Sequence, residues 1–301
     1  MHRPKSTLEQ WRILQAVVDF GGYAQAAEKL NKSQSSLNHA VAKLQAQLGI
    51  QLLEVKGRKA YLTPQGEVLL RRSRHVTQSV HELEQLANNL EQGWEPTLTI
   101  ARELVYPMAT LTDALVAFLP DSRGTRITIV DTVMHGTSEL IQNHQVDMAI
   151  CATPPTGYIA QPLCNLDFYL VCHPGHALAQ IPDALDDQLL ARYLQIVIKD
   201  TGVNVTQESG WLKAEQRWTV SNFHEAKVIL SKGIGFCWVP SHMVQQELQR
   251  GELVRLTLTG SRCRRIGLTL VVPQRDTQGP ACKLLESLLL AQHAVTGDNG
   301  H

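Results

Sequence analysis

Along the first 50 residues, short helical periods alternate with small breaking clusters. Thr7 stands as an N-cap before Leu8, Trp11, Leu14, Val17 and Val18, which share one helical face, and Gly21-Gly22 stops the segment. The run from Ala24 to Leu30 is rich in small helix formers and is broken by Asn31-Lys32-Ser33. Leu37, Val41, Leu44 and Leu48 then recur at spacings of 4, 3 and 4 up to Gly49, which predicts a third helix. Leu52 to Val55 and Ala60 to Leu62 read as two short strands around a basic turn, Lys56-Gly57-Arg58-Lys59.

From Pro64 to about Gln92 there is no further Pro and no Gly after Gly66, so a long helix is predicted. Its residues Leu69, Val76, Val80, Leu83, Ala87 and Leu90 follow spacings of 7, 4, 3, 4 and 3, with Ser73 in the missing place. A seam that narrow suits one partner helix, with packing inside the chain as the alternative. Gly93-Trp94-Glu95-Pro96 ends the helix and marks a boundary.

The remainder alternates strand and helix. Thr97 to Ala101, Arg126 to Val130 and Asp147 to Ala152 read as strands, with helices from Met108 to Leu119 and Ser138 to Asn143 between them. That order predicts a mainly parallel sheet covered on both faces. A second set of strands follows at Phe168 to Cys172, Leu194 to Ile198, Trp218 to Val220, Phe236 to Val239 and Leu253 to Leu258. Gly267 to Val272 and a helix from Pro280 to about Gln292 return to the first set. The expectation is two lobes, about 94–160 with 267–293 and about 161–266, with a cleft at the carboxyl ends of their strands.

Composition changes this picture mainly through charge. The 301 residues carry 28 Lys and Arg against 28 Asp and Glu. Residues 1–93 hold six Lys and six Arg against eight acids, a net of +4, and residues 94–301 hold 16 bases against 20 acids, a net of −4. Between residues 29 and 74, nine bases face only Glu54 and Glu67. A basic stripe of this kind attracts a polyanion, whereas the acidic remainder does not. No run approaches the roughly 18 apolar residues that cross a bilayer, so a cytoplasmic chain without membrane contact is expected.

The polar side of the third helix carries candidate chemistry that packing does not require. Ser33, Gln34, Ser35, Ser36, Asn38, His39 and Lys43 lie off the apolar stripe, while Ala26 and Ala27 permit close approach of the second helix. In a helix-turn-helix such residues reach phosphates and base edges in the major groove, and Lys56, Arg58 and Lys59 at the hairpin tip lie along the backbone.

These residues resemble a known family. From Leu8 to about Leu90, Ala26-Ala27-Glu28-Lys29-Leu30, Ser33-Gln34-Ser35-Ser36-Leu37, Leu44, Leu48-Gly49, Leu52, Arg58, Leu62-Thr63 and Gly66 are similar to the winged helix-turn-helix of LysR-type transcriptional regulators. The resemblance continues more loosely through Val146-Asp147-Met148-Ala149-Ile150, His176-Ala177-Leu178-Ala179, Gly233-Ile234-Gly235 and Val239-Pro240. It implies an all-α winged helix-turn-helix (1–63), a long linker helix (64–93) and an α/β two-lobed effector domain (94–301) resembling periplasmic solute-binding proteins. It also implies dimerisation through the linker seam, as a homodimer or homotetramer, on an interrupted inverted repeat of double-stranded DNA. The family usually has Ser at Asn38, Gln at Ala40, Glu at Gln45, Phe at Leu53 and Arg at Val55, departures that imply an atypical target sequence.

By position, Arg102, Glu103, Thr132, Thr153, Asp200, Thr201, Ser221 and Asn222 come to the cleft. Short hydroxyls near helix starts suit a small organic anion, with Arg102 as countercharge, although each hydroxyl also fits an ordinary cap; Thr137 and Ser221 in particular are read as helix caps. The six cysteines are irregularly spaced without a CxxC and read as buried thiols, with a redox switch through Cys164 and Cys172 as the rival. No GxSxG, HExxH, P-loop or GxGxxG is present, and His173-Pro174-Gly175-His176 reads as a turn rather than a metal site. The expectation is a regulator without catalytic residues, metal or cofactor. The rival is a solute-binding protein or enzyme whose degenerate front domain serves only dimerisation.

Overall fold

The computed structural model describes residues 3–56, 59–203, 212–259 and 264–294, except for the side chains of Val55, Lys56 and Lys59. The chain divides into two compact units, Met1–Gln92 and Gly93–His301.

The first unit opens with helices α1 (Leu8–Asp19), α2 (Tyr23–Lys29) and α3 (Gln34–Leu48). Thr7 caps α1 through a reciprocal box with Gln10, and Ser33 caps α3 by accepting from the Ser36 N–H. Gly49 closes α3 at φ 69°, a left-handed conformation that glycine adopts without strain. Leu14, Val17, Ala26, Leu37, Val41, Leu44 and Leu52 form the core of the unit. Strands β1 (Leu53–Lys56) and β2 (Lys59–Leu62) pair antiparallel as the wing. Gln45 ties α3 to the wing, its Oε1 accepting from the N–H groups of Leu52 and Leu53 at 2.7 and 3.1 Å.

Helix α4 (Pro64–Glu91) starts at Thr63, which accepts from the Gly66 N–H, with Pro64 in the first turn where its missing N–H costs nothing. Gly66 lies against Leu52, and a Cβ there would meet the Leu52 carbonyl oxygen at 2.2 Å. One part of the expected seam is corrected. Leu69 packs on the three-helix core, and Ser73 is buried, accepting from Gln15 Nε2 at 3.0 Å. This half of α4 is held by α1, so the exposed stripe begins at Val76 and continues through Leu83, Leu86 and Leu90.

The second unit contains β3 (Thr97–Glu103), α5 (Met108–Phe118), β4 (Arg126–Thr132), α6 (His135–Gln142), β5 (Met148–Cys151), β6 (Ala160–Cys172), α7 (Asp187–Ala191), β7 (Gln195–Ile198), β8 (Arg217–Val220), α8 (Phe223–Leu230), β9 (Phe236–Pro240), α9 (Ser241–Gln249), β10 (Val254–Arg255), β11 (Arg264–Val271) and α10 (Pro280–Ala294). Among the described residues they build a nine-stranded sheet of order β4-β3-β5-β11-β6-β9-β7-β8, with β10 on β6. In the first lobe, Leu98, Ile100, Leu111, Phe118, Met148, Leu270 and Leu285 pack on one face, and Ala101, Ile141, Val146 and Val271 on the other. In the second, Phe168, Ile196, Phe223, Leu230, Val239 and Val244 oppose Leu170, Leu178, Leu190 and Phe236.

The first three strands pair parallel as expected, while the sheet as a whole is mixed. Pairing is parallel within β4-β3-β5 and β8-β7-β9, but β11 runs antiparallel to β5 and β6, and β6 to β9. The chain leaves the first lobe on β6 and returns on β11, so these two run in opposite directions. Between the lobes, Asn165, Leu166 and Asp167 pair with Gly267, Ile266 and Arg265, and a register shift follows between Leu268 and Thr269. The strand expected from Leu253 to Leu258 is reduced to two residues and a bridge from Leu258 to Leu185. Two expected caps also shift: α6 starts at His135 with Thr137 inside it, and Asn222, not Ser221, caps α8. Among the described residues no helix is long and apolar enough to cross a membrane.

Candidate DNA-binding face and effector cleft

Helix α3 separates its two faces cleanly. Leu37, Val41 and Leu44 are fully buried, while Ser33, Gln34, Ser35, Ser36, Asn38, His39 and Lys43 are exposed. Ser33 Oγ accepts from the Ser36 N–H at 3.2 Å and lies 3.1 Å from Ser35 Oγ, so its hydroxyl holds the helix start. Gln34, Asn38, His39 and Lys43 project without a packing role. Arg58 and the side chains of Lys56 and Lys59 lie outside the described residues.

In the second unit the structure brings several predicted residues together around the start of α6. Thr201 is joined to Val133 three times: the Val133 N–H donates to Thr201 Oγ1 at 2.9 Å, and the Thr201 N–H and Oγ1 reach the Val133 carbonyl at 3.3 and 3.2 Å. Asp200 Oδ2 lies 2.6 Å from His135 Nδ1 and accepts from the His135 N–H. The Val203 N–H donates to the Glu139 carboxylate at 2.9 Å. Burial works to raise the Asp200 carboxyl, but the bonds from the Gly202 N–H and from His135 outweigh it and hold the group below the usual range.

Two glycines permit this latch between the lobes. A Cβ on Gly136 would lie 2.0 Å from Thr201 Oγ1, and one on Gly202 would lie 2.8 Å from the His135 Cβ. Beside the latch, His135, Ser138, Glu139, Thr153, Thr156 and Val203 line a cavity of about 730 Å³. His135, Gly136, Glu139 and Gly202 were not among the residues expected from the sequence. The available signal was a glycine in the first turn of a helix and another directly after Thr201.

Other predicted cleft residues have different roles. Arg102 is not an open countercharge: its Nε and Nη2 donate to Asp131 Oδ1 at 2.8 and 2.5 Å and its Nη1 donates to the Tyr106 carbonyl. The register of β3 on β4 places Arg102 beside Asp131, so the positive charge is neutralised locally. Thr132 Oγ1 is 2.8 Å from Thr137 Oγ1, both buried, which closes that hydroxyl to a ligand. Asn222 Oδ1 accepts from the Glu225 N–H, and the Ser221 N–H donates to Glu225 Oε2, so this pair organises the start of α8.

Glu103 is 5% exposed. Burial pushes its carboxyl up to about 7; the Ala152 N–H, which donates to Oε1 at 3.1 Å, opposes the rise, and the Asp200 charge adds to it.

Among the described residues the cysteines are buried or half-buried and their thiols are held protonated. Cys151, Cys164, Cys172, Cys237 and Cys282 are free, and burial pushes their thiols up to about 11 or 12; Cys263 lies outside the described residues. His173 Nδ1 accepts from the Gly175 N–H and His176 Nδ1 from the Leu178 N–H, the bonds of a turn. Among the described residues no group of three or more His, Cys, Asp or Glu is placed to hold a metal ion.

Comparison with known proteins gives a consistent answer along the chain. Residues 91–294 match the family described as the LysR substrate binding domain, and residues 8–67 that described as the bacterial regulatory helix-turn-helix protein, lysR family. The uncharacterized HTH-type transcriptional regulator YeeY of Escherichia coli is 29% identical over 303 residues, covering 97% of this chain and 96% of its own. Among solved structures, the virulence activator AphB of Vibrio cholerae aligns over 95% of this chain and 99% of its own, with TM-score 0.51 at 17% identity. Full-length LysG of Corynebacterium glutamicum aligns over 96% and 98%, with TM-score 0.52 at 17% identity. At these identities the two structures bear on the fold alone.

Proposed function

The chain belongs to the LysR family, DNA-binding transcriptional regulators with an effector-responsive C-terminal domain, and from that premise we propose which of its residues carry each task. Residues 1–63 read DNA, 64–93 join two copies, and 94–301 bind the effector. Gln34, Ser35, Asn38, His39 and Lys43 enter the major groove, and Ser33 and Ser36 set the helix end against the phosphates. Lys56, Arg58 and Lys59 follow the backbone from the wing. Val76, Val80, Leu83, Ala87 and Leu90 pair with a second copy, so that two recognition helices meet the halves of an interrupted inverted repeat, as a homodimer or a pair of dimers.

The observation that carries this reading is the division of α3, with three apolar residues sealed in the core and a polar face that packs against nothing in its own unit. The effector is a small organic molecule held where Thr153, Asp200 and Thr201 converge on α6, in a protein acting in the cytoplasm. It changes DNA binding only as far as its affinity differs between the two states of the assembly.

Footprinting on the DNA upstream of the protein's own coding region, with salt varied, tests the proposal. A protected twofold site with a steep salt dependence is expected, and Gln34→Ala weakens it by about 1–3 kcal/mol with relaxed specificity at one base. Diffuse protection unaffected by Gln34→Ala would instead favour a binding protein whose front domain serves only dimerisation.

A further inference from the structure

Helix α3 carries one polar side chain that is engaged by the wing rather than left open. Gln45 is half-buried, and its Oε1 accepts from the N–H groups of both Leu52 and Leu53, at 2.7 and 3.1 Å. Both leucines are buried, so without Gln45 two consecutive donors lose this acceptor away from water. Successive N–H groups of an extended strand point to opposite edges. Here they converge on one oxygen, so the chain turns as it enters β1 and presents a concave pair of donors of the kind that takes an anion.

The attachment lies on the reading side of α3. Gln34, Asn38 and Gln45 are four and seven residues apart, close to one and two helical turns, so they share one stripe about 16 Å long. Gln34 and Asn38 are exposed on it, and Gln45 is bonded to the root of the wing. The carbonyls at that root are held by the start of α4: Thr63 Oγ1 donates to the Gln51 carbonyl at 2.7 Å and the Thr63 N–H to that of Leu52 at 3.0 Å. The wing is a lever on this root. A tilt of about 20° there moves a tip about 13 Å away, four strand residues on, by roughly 4 Å, more than a hydrogen bond tolerates.

We propose that Gln45 is a positioning residue for DNA: by holding the root of the wing on the recognition helix, it sets where Lys56, Arg58 and Lys59 meet the phosphates while Gln34 and Asn38 face the bases. The inference rests on the wing following the DNA backbone and adds a residue that acts through the wing without touching DNA. The donor pair suits an anion and holds a neutral amide, so Gln45→Glu keeps the bond and strengthens it.

Binding of the full-length protein to a duplex of its own upstream DNA, followed by fluorescence anisotropy across a salt series, tests this. Each phosphate contact contributes about 0.9 to the slope of log affinity against log salt. Gln45→Met keeps the chain length and removes the acceptor. Its slope is expected to be shallower by roughly two to three per bound copy, the weight of the three bases at the wing tip. Gln45→Asp, whose carboxylate falls one methylene short, is expected to do the same, and Gln45→Glu to retain the natural slope. A purely structural bond lowers the melting temperature and leaves the slope of the folded protein unmoved, so the two roles separate. Gln45→Met with the natural slope, or Gln45→Glu with the slope of Gln45→Met, overturns the proposal. Failure of both Gln45→Met and Gln45→Asp to fold overturns it too, since the bond then serves the fold. Replacing Lys56, Arg58 and Lys59 together by Ala distinguishes the levels of failure. If that variant loses slope and Gln45→Met does not, the role of Gln45 alone falls. If that variant keeps the natural slope, the wing does not follow the backbone, and the reading beneath the inference falls with it.

Discussion

Glu103 is a strand-end acid whose burial weighs against the folded state once it ionises. With its carboxyl raised from 4.5 to about 7, the folded chain holds a proton there that the unfolded chain gives up earlier. Below about pH 4.5 the group is protonated in both states and makes no difference. Stability then falls as pH rises from 4.5 to 7, and above 7 the ionised carboxylate costs roughly 3 kcal/mol relative to an ordinary glutamate. Glu103→Gln keeps the acceptor for the Ala152 N–H and removes the charge. Its melting temperature should exceed that of the natural protein at pH 8 and converge with it near pH 4.5, as followed by circular dichroism. The strand end itself was legible in the sequence, since the period of β3 places Glu103 last. Its burial and its bond from the Ala152 N–H were not, because that partner is 49 residues away.

Elements with strong local signals followed the sequence, and weakly marked ones did not. Helices α1, α3 and α4 each start on a threonine or serine whose oxygen accepts an orphan N–H, and each has a long apolar stripe. Helices α7, α8 and α9 are five to nine residues long and bury between one and three side chains, too little to create a period. The seam of α4 was half legible. Spacing identified the apolar residues but could not say that α1 covers Leu69 and Ser73 and leaves Val76 onward open. The wing–helix junction gives a prediction at this scale. Gly66→Ala would drive a methyl group into the Leu52 carbonyl, and since that partner is backbone, α4 has to shift as a body. A loss of about 1–3 kcal/mol is expected, read as a lower melting temperature. Gly21→Ser, open on all sides but at φ 75°, shows by comparison what backbone strain alone does.

At the scale of the whole molecule, opposite net charge on the two units means that a polyanion is drawn to one of them and repelled by the other, which orients the protein before contact. On the proposed pairing, doubling of the recognition surface depends on the exposed half of α4. Leu83, 65% exposed, is apolar without a neighbour to cover it in one copy. Leu83→Glu should shift sedimentation toward monomer and reduce protection of a twofold site to weak half-site binding, with the helical content of α4 unchanged. If the variant sediments as the natural protein does, the seam lies elsewhere. Inside the second unit, the strand connection between the lobes runs through three residues of β6 paired with three of β11, with a register fault just beyond them, alongside the latch at the start of α6. A band of two strands is stiff along its length, where covalent backbone resists stretching, and soft in twist, which varies by roughly 10–35° per strand pair and more in isolated ribbons. The lobes therefore exchange angle more readily than distance, and an effector seated between them as proposed would act as a wedge in a torsion strip, converting the energy of its grip into a turn.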